Sequence, residues 1–171
     1  MERRRVVDAD GHARRIRAAA DVRAERAAEF VIIGRTDARE PHGLDEALRR
    51  GHMYADAGAD VVFVEAPRSR AELETIAGEF AVPTFANVIE GGKTPYLPAE
   101  ELDAIGFDIV VYPLSGLFAA TRALQEAYAT LAADGTAGAV EAVDFDEFEA
   151  AIGAPAVRER ERRYADWSAD E

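Results

Sequence analysis

Apolar residues occur in short runs that alternate along the chain with longer segments in which apolar and charged residues mix. The runs have the length and the β-branched or aromatic composition of strands, and the longer segments are typical of helices. Alternating strands and helices predict an α/β fold with a parallel sheet and right-handed crossovers. The predicted strands are residues 30–34, 61–64, 84–88 and 108–112.

Capping residues mark the ends of the predicted helices. Asp8 or Asp10 can begin a first helix that runs to about residue 28, and Ser69 with Glu72 forms a capping box for a later one. The chain is therefore predicted to contain a helix, four βα units and a helical tail. The remaining predicted helices span about residues 44–57, 69–80, 98–104, 117–132, 145–152 and 157–167.

The first predicted strand has four consecutive apolar residues, a pattern typical of a strand that is buried on both faces. It ends at Gly34 and is followed by Arg35, Thr36 and Asp37. An arginine at a strand end can bind a carboxylate or phosphate through two parallel hydrogen bonds. A structural Arg–Asp pair that only closes the loop explains this stretch equally well.

Polar side chains also follow the other three predicted strands, namely Glu65, Asn87 and Ser115. The carboxyl ends of parallel strands lie at one edge of a sheet or barrel, where binding sites are usually built. Any one of these residues is explained by contact of a strand end with water. Four strand ends with such residues, counting Arg35, favour a shared pocket for an oxygen-rich anion.

Composition limits the class of protein. The 171 residues suffice for one domain with a sizeable core, and 49% hydrophobic residues predict a globular chain. We find no apolar run of membrane-spanning length and no charged-then-apolar leader, which predicts a soluble, cytoplasmic protein. The absence of cysteine excludes disulfides, thiolate metal sites and a cysteine nucleophile on this chain.

The chain is strongly acidic, with 33 acidic and 20 basic residues, a net charge of −13 and Lys93 as its only lysine. A negative field disfavours nucleic acid and anionic membranes as partners. An acidic chain that is poor in lysine is typical of salt-rich cytoplasm, where salt screens self-repulsion. We therefore interpret the acidity as a halophilic adaptation.

Four motifs follow one another along the chain: IGRTDA at 33–38, FVEA at 63–66, FANVIEGGKTP at 85–95 and YPLS at 112–115. Together they resemble the isocitrate lyase/phosphoenolpyruvate mutase superfamily. The resemblance covers about residues 6–135 and is nearest to the methylisocitrate lyase, oxaloacetate decarboxylase and carboxyphosphonoenolpyruvate mutase branches. It implies a (β/α)8 TIM barrel, of which residues 1–135 form the C-terminal half. It further implies that residues 136–171 are a helical tail that can be exchanged between the subunits of a homo-oligomer.

The same resemblance implies the reaction and the site. Arg35 and Glu65 match catalytic positions, and Arg35, Asn87, Thr94 and Ser115 match substrate-binding ones. Members of the superfamily cleave or form bonds beside the carbonyl of a 2-oxo acid or a (methyl)isocitrate-like substrate. Mg²⁺ stabilises the negative charge that develops on the enolate oxygen. The chain is thus expected to be a carbon–carbon lyase or a phosphonate mutase.

This chain also departs from the superfamily pattern. The magnesium ligands of the superfamily precede the strand at residue 30, and its cysteine-bearing loop is missing here. We therefore expect no metal ligands on this chain, and a half-barrel that needs a completing partner chain. The alternative is a non-catalytic remnant that binds a small dicarboxylate without turnover. Without the resemblance, a flavodoxin-like sheet that binds a phosphorylated metabolite would be the prediction.

Overall fold

The structure, a computed structural model, describes residues 5–138 and 140–165, in which helices alternate with short strands. The strands are β1 (Ile33–Thr36), β2 (Val61–Val64), β3 (Thr84–Asn87) and β4 (Ile109–Val111). The helices are α1 (Ala9–Arg26), α2 (Arg39–His42), α3 (Leu44–Asp56), α4 (Arg70–Glu79), α5 (Ala99–Ile105), α6 (Ser115–Asp134), α7 (Phe145–Ala151) and α8 (Ala154–Tyr164).

The four strands form one parallel sheet in the order β1-β2-β3-β4, as the sequence pattern predicts. Arg35 is in register with Phe63, and Phe63 with Phe85. Because side chains alternate between the faces of a strand, these three residues lie on one face of the sheet. The sequential order brings the carboxyl ends of all four strands to one rim.

The core lies between the opposite face of this sheet and the helices that follow its strands. Val62 of β2 and Val88, which directly follows β3, pack with Leu73 and Ile76 of α4 and with Leu102 of α5. All five are almost fully buried. Burial of such side chains stabilises the fold by roughly 1.5–3 kcal/mol each, and it fixes the strand ends that carry the polar residues.

The prediction for the first strand was wrong in two respects. Pairing begins at Ile33, not at Phe30, because the Asp60 carboxylate accepts a hydrogen bond from the backbone N–H of Ile32 and from Arg23. Phe30 and Val31 are 46% and 65% exposed, and Ile33 is also exposed. Among the described residues, no strand pairs with the outer edge of β1, so its apolar run is not buried on both faces.

The predicted capping of the helices is confirmed at Asp8, whose carboxylate accepts from the N–H of Gly11 at 2.7 Å. The capping box at Ser69 forms only in part. Ser69 Oγ accepts from the N–H of Glu72 at 3.2 Å, but the Glu72 carboxylate accepts from the N–H of Arg68 and from Arg39. In a complete capping box, the Glu72 carboxylate would accept from the N–H of Ser69. Here it accepts instead from Arg39 of α2 and from the N–H of Arg68.

The chain divides into two units, Met1–Ala119 and Ala120–Glu171. The predicted division at residue 135 into half-barrel and tail stays a prediction, and so does exchange of the tail. In the second unit, Asp144 and Glu147 form a capping box at the start of α7. The end of the predicted helix 157–167 lies outside the described residues. Throughout the described ranges, we find no helix with both the length and the apolar composition needed to cross a membrane.

Candidate functional site

Arg35 leaves β1 on the face of the sheet that carries Phe63. Its Nε and Nη2 donate to the two carboxylate oxygens of Asp37 at 2.7 and 3.2 Å, and its guanidinium lies 4.8 Å from the centre of the Phe63 ring. The hydrogen bond that Arg35 donates to Asp37 raises the pKa of Arg35. The side chain is still 45% exposed. Asp37 and Phe63 therefore hold a planar, charged group in a fixed orientation while its side chain stays partly exposed.

Glu65 follows β2 directly and is only 8% exposed. Its Oε2 lies 3.6 Å from Nη2 of Arg35 and accepts a hydrogen bond from Nδ2 of Asn87 at 3.3 Å. Oδ1 of Asn87 is buried and has no hydrogen-bond partner in the protein. A buried acceptor without a partner usually bonds to a ligand or to water. The three strand ends thus form one contiguous polar group.

Ala66 turns the chain sharply after Glu65. Its φ of +59° lies in the left-handed region, which is uncommon for a residue other than glycine. Such backbone strain is concentrated at functional sites, where the surrounding structure holds it in place. Here the N–H of Glu65 donates to the Thr36 carbonyl at 3.0 Å, which fixes the residue before the turn.

A loop of residues 88–98, which we call the rim loop, forms much of the wall of a cavity next to Glu65. The cavity has a volume of about 440 Å³, within the range of small-molecule sites. Gly91 has φ +69°, a turn conformation that suits glycine, and Thr94 is 9% exposed. The lining residues are Glu65, Ala66, Asn87, Ile89, Gly91, Gly92, Lys93 and Thr94. We call this cavity the glutamate pocket.

The predicted site residues are not all in one cavity. Arg35 lines a neighbouring cavity of about 290 Å³ together with His12, Asp37, Arg50 and Tyr54. The contact between Arg35 and Glu65 connects this cavity to the glutamate pocket. Burial and the nearby arginines lower the pKa of His12, which favours its neutral form.

Ser115 begins α6 and does not belong to the residues that line the glutamate pocket. Its hydroxyl donates to Oε1 of Glu90 in the rim loop, which also accepts from the Tyr96 hydroxyl at 3.3 Å. Sequence reasoning missed Glu90 and the support of Arg35 by Phe63. The spacing could have indicated Phe63, because it lies two residues before Glu65 on the same strand face.

The carboxylates of Asp37 and Glu65 do not form a magnesium site by themselves. Within the described ranges, no three His, Cys, Asp or Glu side chains are grouped so that they could hold a metal. Mg²⁺ needs several oxygen ligands in octahedral geometry. Asp37 and Glu65 are both engaged by Arg35, and Glu65 also accepts from Asn87. No step of the chemistry is therefore assigned to a metal held by these residues.

Comparisons with known proteins agree on one family. The family model described as phosphoenolpyruvate phosphomutase matches residues 1–132. The 2,3-dimethylmalate lyase of Eubacterium barkeri is 40% identical over 167 residues, which are 96% of this chain and 57% of that protein. A crystal structure of 2,3-dimethylmalate lyase, described as a member of the PEP mutase/isocitrate lyase superfamily, aligns with a TM-score of 0.88 at 31% identity. That alignment covers 99% of this chain and 56% of the lyase.

Two further structures were solved with small acids. Oxaloacetate acetylhydrolase in complex with the inhibitor 3,3-difluorooxalacetate aligns with a TM-score of 0.89 at 28% identity, over 98% of this chain and 57% of that one. Phosphonopyruvate hydrolase in complex with oxalate and Mg²⁺ aligns with a TM-score of 0.76 at 26% identity, over 94% and 58%. The chain thus spans little more than half the length of the proteins it matches.

Proposed function

Because the chain belongs to the phosphoenolpyruvate phosphomutase family of the isocitrate lyase/PEP mutase superfamily, and its sheet is part of an α/β barrel, we propose that it forms the anion-binding part of a lyase-type active site. The substrate is a 2-oxo acid or a (methyl)isocitrate-like dicarboxylate. The observation that carries the proposal is the contact series Arg35–Glu65–Asn87 beside the glutamate pocket.

The relatives support this class of ligand. Dimethylmalate, oxaloacetate and phosphonopyruvate, which appear in their names, are small molecules with two acidic groups. Arginine recognises such groups through a planar pair of hydrogen bonds, which a lysine cannot reproduce. Arg35, which is 45% exposed and held by Asp37, suits this task.

Each residue has a distinct proposed role. Arg35 binds one acidic group of the substrate, and Asn87 and Thr94 bond to its polar atoms within the glutamate pocket. Glu65 faces the same cavity and acts as the acid–base group that exchanges a proton with the bound substrate. Direct substrate binding by Ser115, which the resemblance implies, stays a prediction, because its hydroxyl already donates to Glu90.

Turnover requires groups beyond the described residues. We propose that Mg²⁺, which accompanies oxalate in the phosphonopyruvate hydrolase structure, is held by a completing chain. The ion would supply stabilisation of negative charge on the substrate oxygen. Assembly as a homo-oligomer stays a prediction. The cytoplasmic location and the absence of nucleic-acid partners stay predictions. We propose cleavage or rearrangement of a bond beside a carbonyl as the reaction, because the chain belongs to this family.

A non-catalytic protein that binds a small dicarboxylate is the second candidate. It is favoured by the pairing of Asp37 and Glu65 with Arg35, which leaves the described residues without a group of metal ligands. The two candidates share the same anion site, and they differ only in turnover.

Isothermal titration of the chain with oxalate tests the anion site. Arg35→Lys keeps the charge but removes the planar fork, so we expect affinity to fall at least about tenfold, or about 1.4 kcal/mol. Arg70→Lys is the matched control, because Arg70 pairs with Glu74 and Glu101 on the surface and lines neither of the two cavities. Unchanged affinity in Arg35→Lys, with a lower free energy of unfolding, would make Arg35 a purely structural partner of Asp37.

Turnover of oxaloacetate, 2-methylisocitrate and 2,3-dimethylmalate with added Mg²⁺ separates the two candidates. Product formation that Arg35→Lys abolishes supports the lyase-type enzyme. Oxalate binding without turnover of any of these acids supports the non-catalytic alternative.

A further inference from the structure

The rim loop contributes five of the eight residues that line the glutamate pocket, so its position sets the shape of that pocket. It is held at its start by the N–H of Val88, which donates to the Val111 carbonyl at 2.9 Å. Within the loop, the N–H of Gly92 donates to the Ile89 carbonyl at 2.9 Å. At the end of the loop, the Pro98 carbonyl accepts from the N–H groups of Glu101 and Leu102 at 3.1 and 3.2 Å. Side-chain contacts add to these backbone bonds between the two ends.

Most of these contacts join the rim loop to the segment where β4 passes into α6. Tyr112 donates its hydroxyl to the Leu97 carbonyl at 2.6 Å, and its ring meets that of Tyr96 edge-on with centres 6.0 Å apart. Tyr96 and Ser115 both donate to Oε1 of Glu90. A single carboxylate oxygen thus connects two parts of the loop to the first residue of α6.

The Glu90 carboxylate is well suited to such a connection. Hydrogen bonds to an ionised acceptor are about twice as strong as neutral ones. The Ser115 hydroxyl, followed by other hydrogen bonds, lowers the pKa of Glu90, so that the carboxylate stays ionised. Its second oxygen, Oε2, is buried without a hydrogen-bond partner in the protein. This oxygen is therefore shielded from solvent.

We propose that Glu90 is a positioning residue, which fixes the rim loop against the start of α6 and thereby places Asn87 and Thr94 for the anion. Ser115 acts on the site through Glu90. This inference rests on the proposed function for its consequence in binding, but the connection itself is independent of any ligand.

Hydrogen–deuterium exchange of the intact chain measures the connection directly, because local opening controls exchange of loop amides. In Ser115→Ala, we expect amides of residues 89–98 to exchange at least about tenfold faster, which corresponds to about 1.4 kcal/mol. Ser115→Thr keeps the hydroxyl and should exchange like the natural protein. Tyr96→Phe removes the longer of the two bonds to Glu90 and should give a smaller increase.

Ser69→Ala is the matched control, since it also removes a hydroxyl that makes one hydrogen bond, but at the start of α4. It should leave residues 89–98 unchanged. Oxalate affinity should fall in Ser115→Ala and recover in Ser115→Thr. Loop exchange that is unchanged in Ser115→Ala, or that rises equally in Ser69→Ala, overturns the inference. If the natural chain does not bind oxalate, the proposed function fails, while the exchange result still decides whether Glu90 holds the loop.

Discussion

Replacing Asn87 by Asp would test whether Glu65 and Asn87 form the buried polar pair that the structure describes. The change puts a carboxylate oxygen where the amide nitrogen lies, 3.3 Å from Oε2 of Glu65. Two unit charges at that distance repel by roughly 5 kcal/mol at an effective dielectric constant of about 20. Arg35, 3.6 Å from the same oxygen, offsets part of this repulsion.

Proton uptake limits the loss of stability. Raising the pKa of the introduced aspartate from about 3.9 to above 7 takes about 4 kcal/mol. We therefore expect the free energy of unfolding at pH 7 to fall by roughly 2–4 kcal/mol more in Asn87→Asp than in Asn87→Ala. The folded state then binds more protons than the unfolded state, so the excess loss is largest at high pH and decreases as the pH is lowered.

Urea denaturation at several pH values, in EDTA to exclude metal binding by the new carboxylate pair, measures this excess. It should decrease by about 1.4 kcal/mol per pH unit once the pair takes up its proton, and should be below about 2 kcal/mol at pH 5. Asn87→Ala loses the same hydrogen bond without adding a charge and serves as the control. An excess that does not change between pH 7 and pH 5 would refute the close contact of the two side chains.

Three further predictions concern the scaffold. Gly34→Ala should lower stability by about 1–3 kcal/mol in chemical denaturation, because its Cβ would lie 2.8 Å from Cβ of Tyr54, while Gly78→Ala, with open space around it, should not. With a net charge of −13, the thermal midpoint should rise from low to molar KCl, and a flat or falling midpoint contradicts the halophilic interpretation. Arg49 and Arg50 lower the pKa of Glu46 to about 2, so this carboxylate stabilises the fold above its ordinary pKa, and the contribution is lost as the pH falls from about 4.5 towards 2. The acid dependence of the thermal midpoint over this range should be weaker in Glu46→Gln.

The sequence predicted the order of the sheet and the place of Glu65 and Asn87, for a physical reason. Apolar runs locate strands, and short crossovers make successive strands neighbours. Phe63 and Phe85 are in register, and each lies two residues before one of these polar residues. Once the strands are parallel and sequential, Glu65 and Asn87 must therefore lie on the same face at the same rim.

The contacts that depend on loop conformation could not be predicted in this way. The residue types at these positions do not predict that Ala66 has φ +59° or that Ser115 donates a hydrogen bond to Glu90, 25 positions earlier. From the sequence, a structural ion pair with Asp37 and the binding of an anion were equally good interpretations of Arg35. The structure contains the pair with Asp37 and also keeps the guanidinium partly exposed, so the two interpretations are compatible.

The charges around the rim affect both the stability of the fold and the binding of an anion. Arg35, Arg39 and Lys93 each pair with an acidic residue, and the pairs Arg39–Glu72 and Lys93–Glu40 join α2 to α4 and to the rim loop. An anion that enters the site must therefore compete with Asp37 for Arg35, inside a field set by a net charge of −13. Salt screens both the repulsion among surface carboxylates and the attraction between Arg35 and a ligand. Added KCl should consequently raise the thermal midpoint, whereas its effect on oxalate affinity is the balance between the screened attraction to Arg35 and the screened repulsion of oxalate by the net charge of −13.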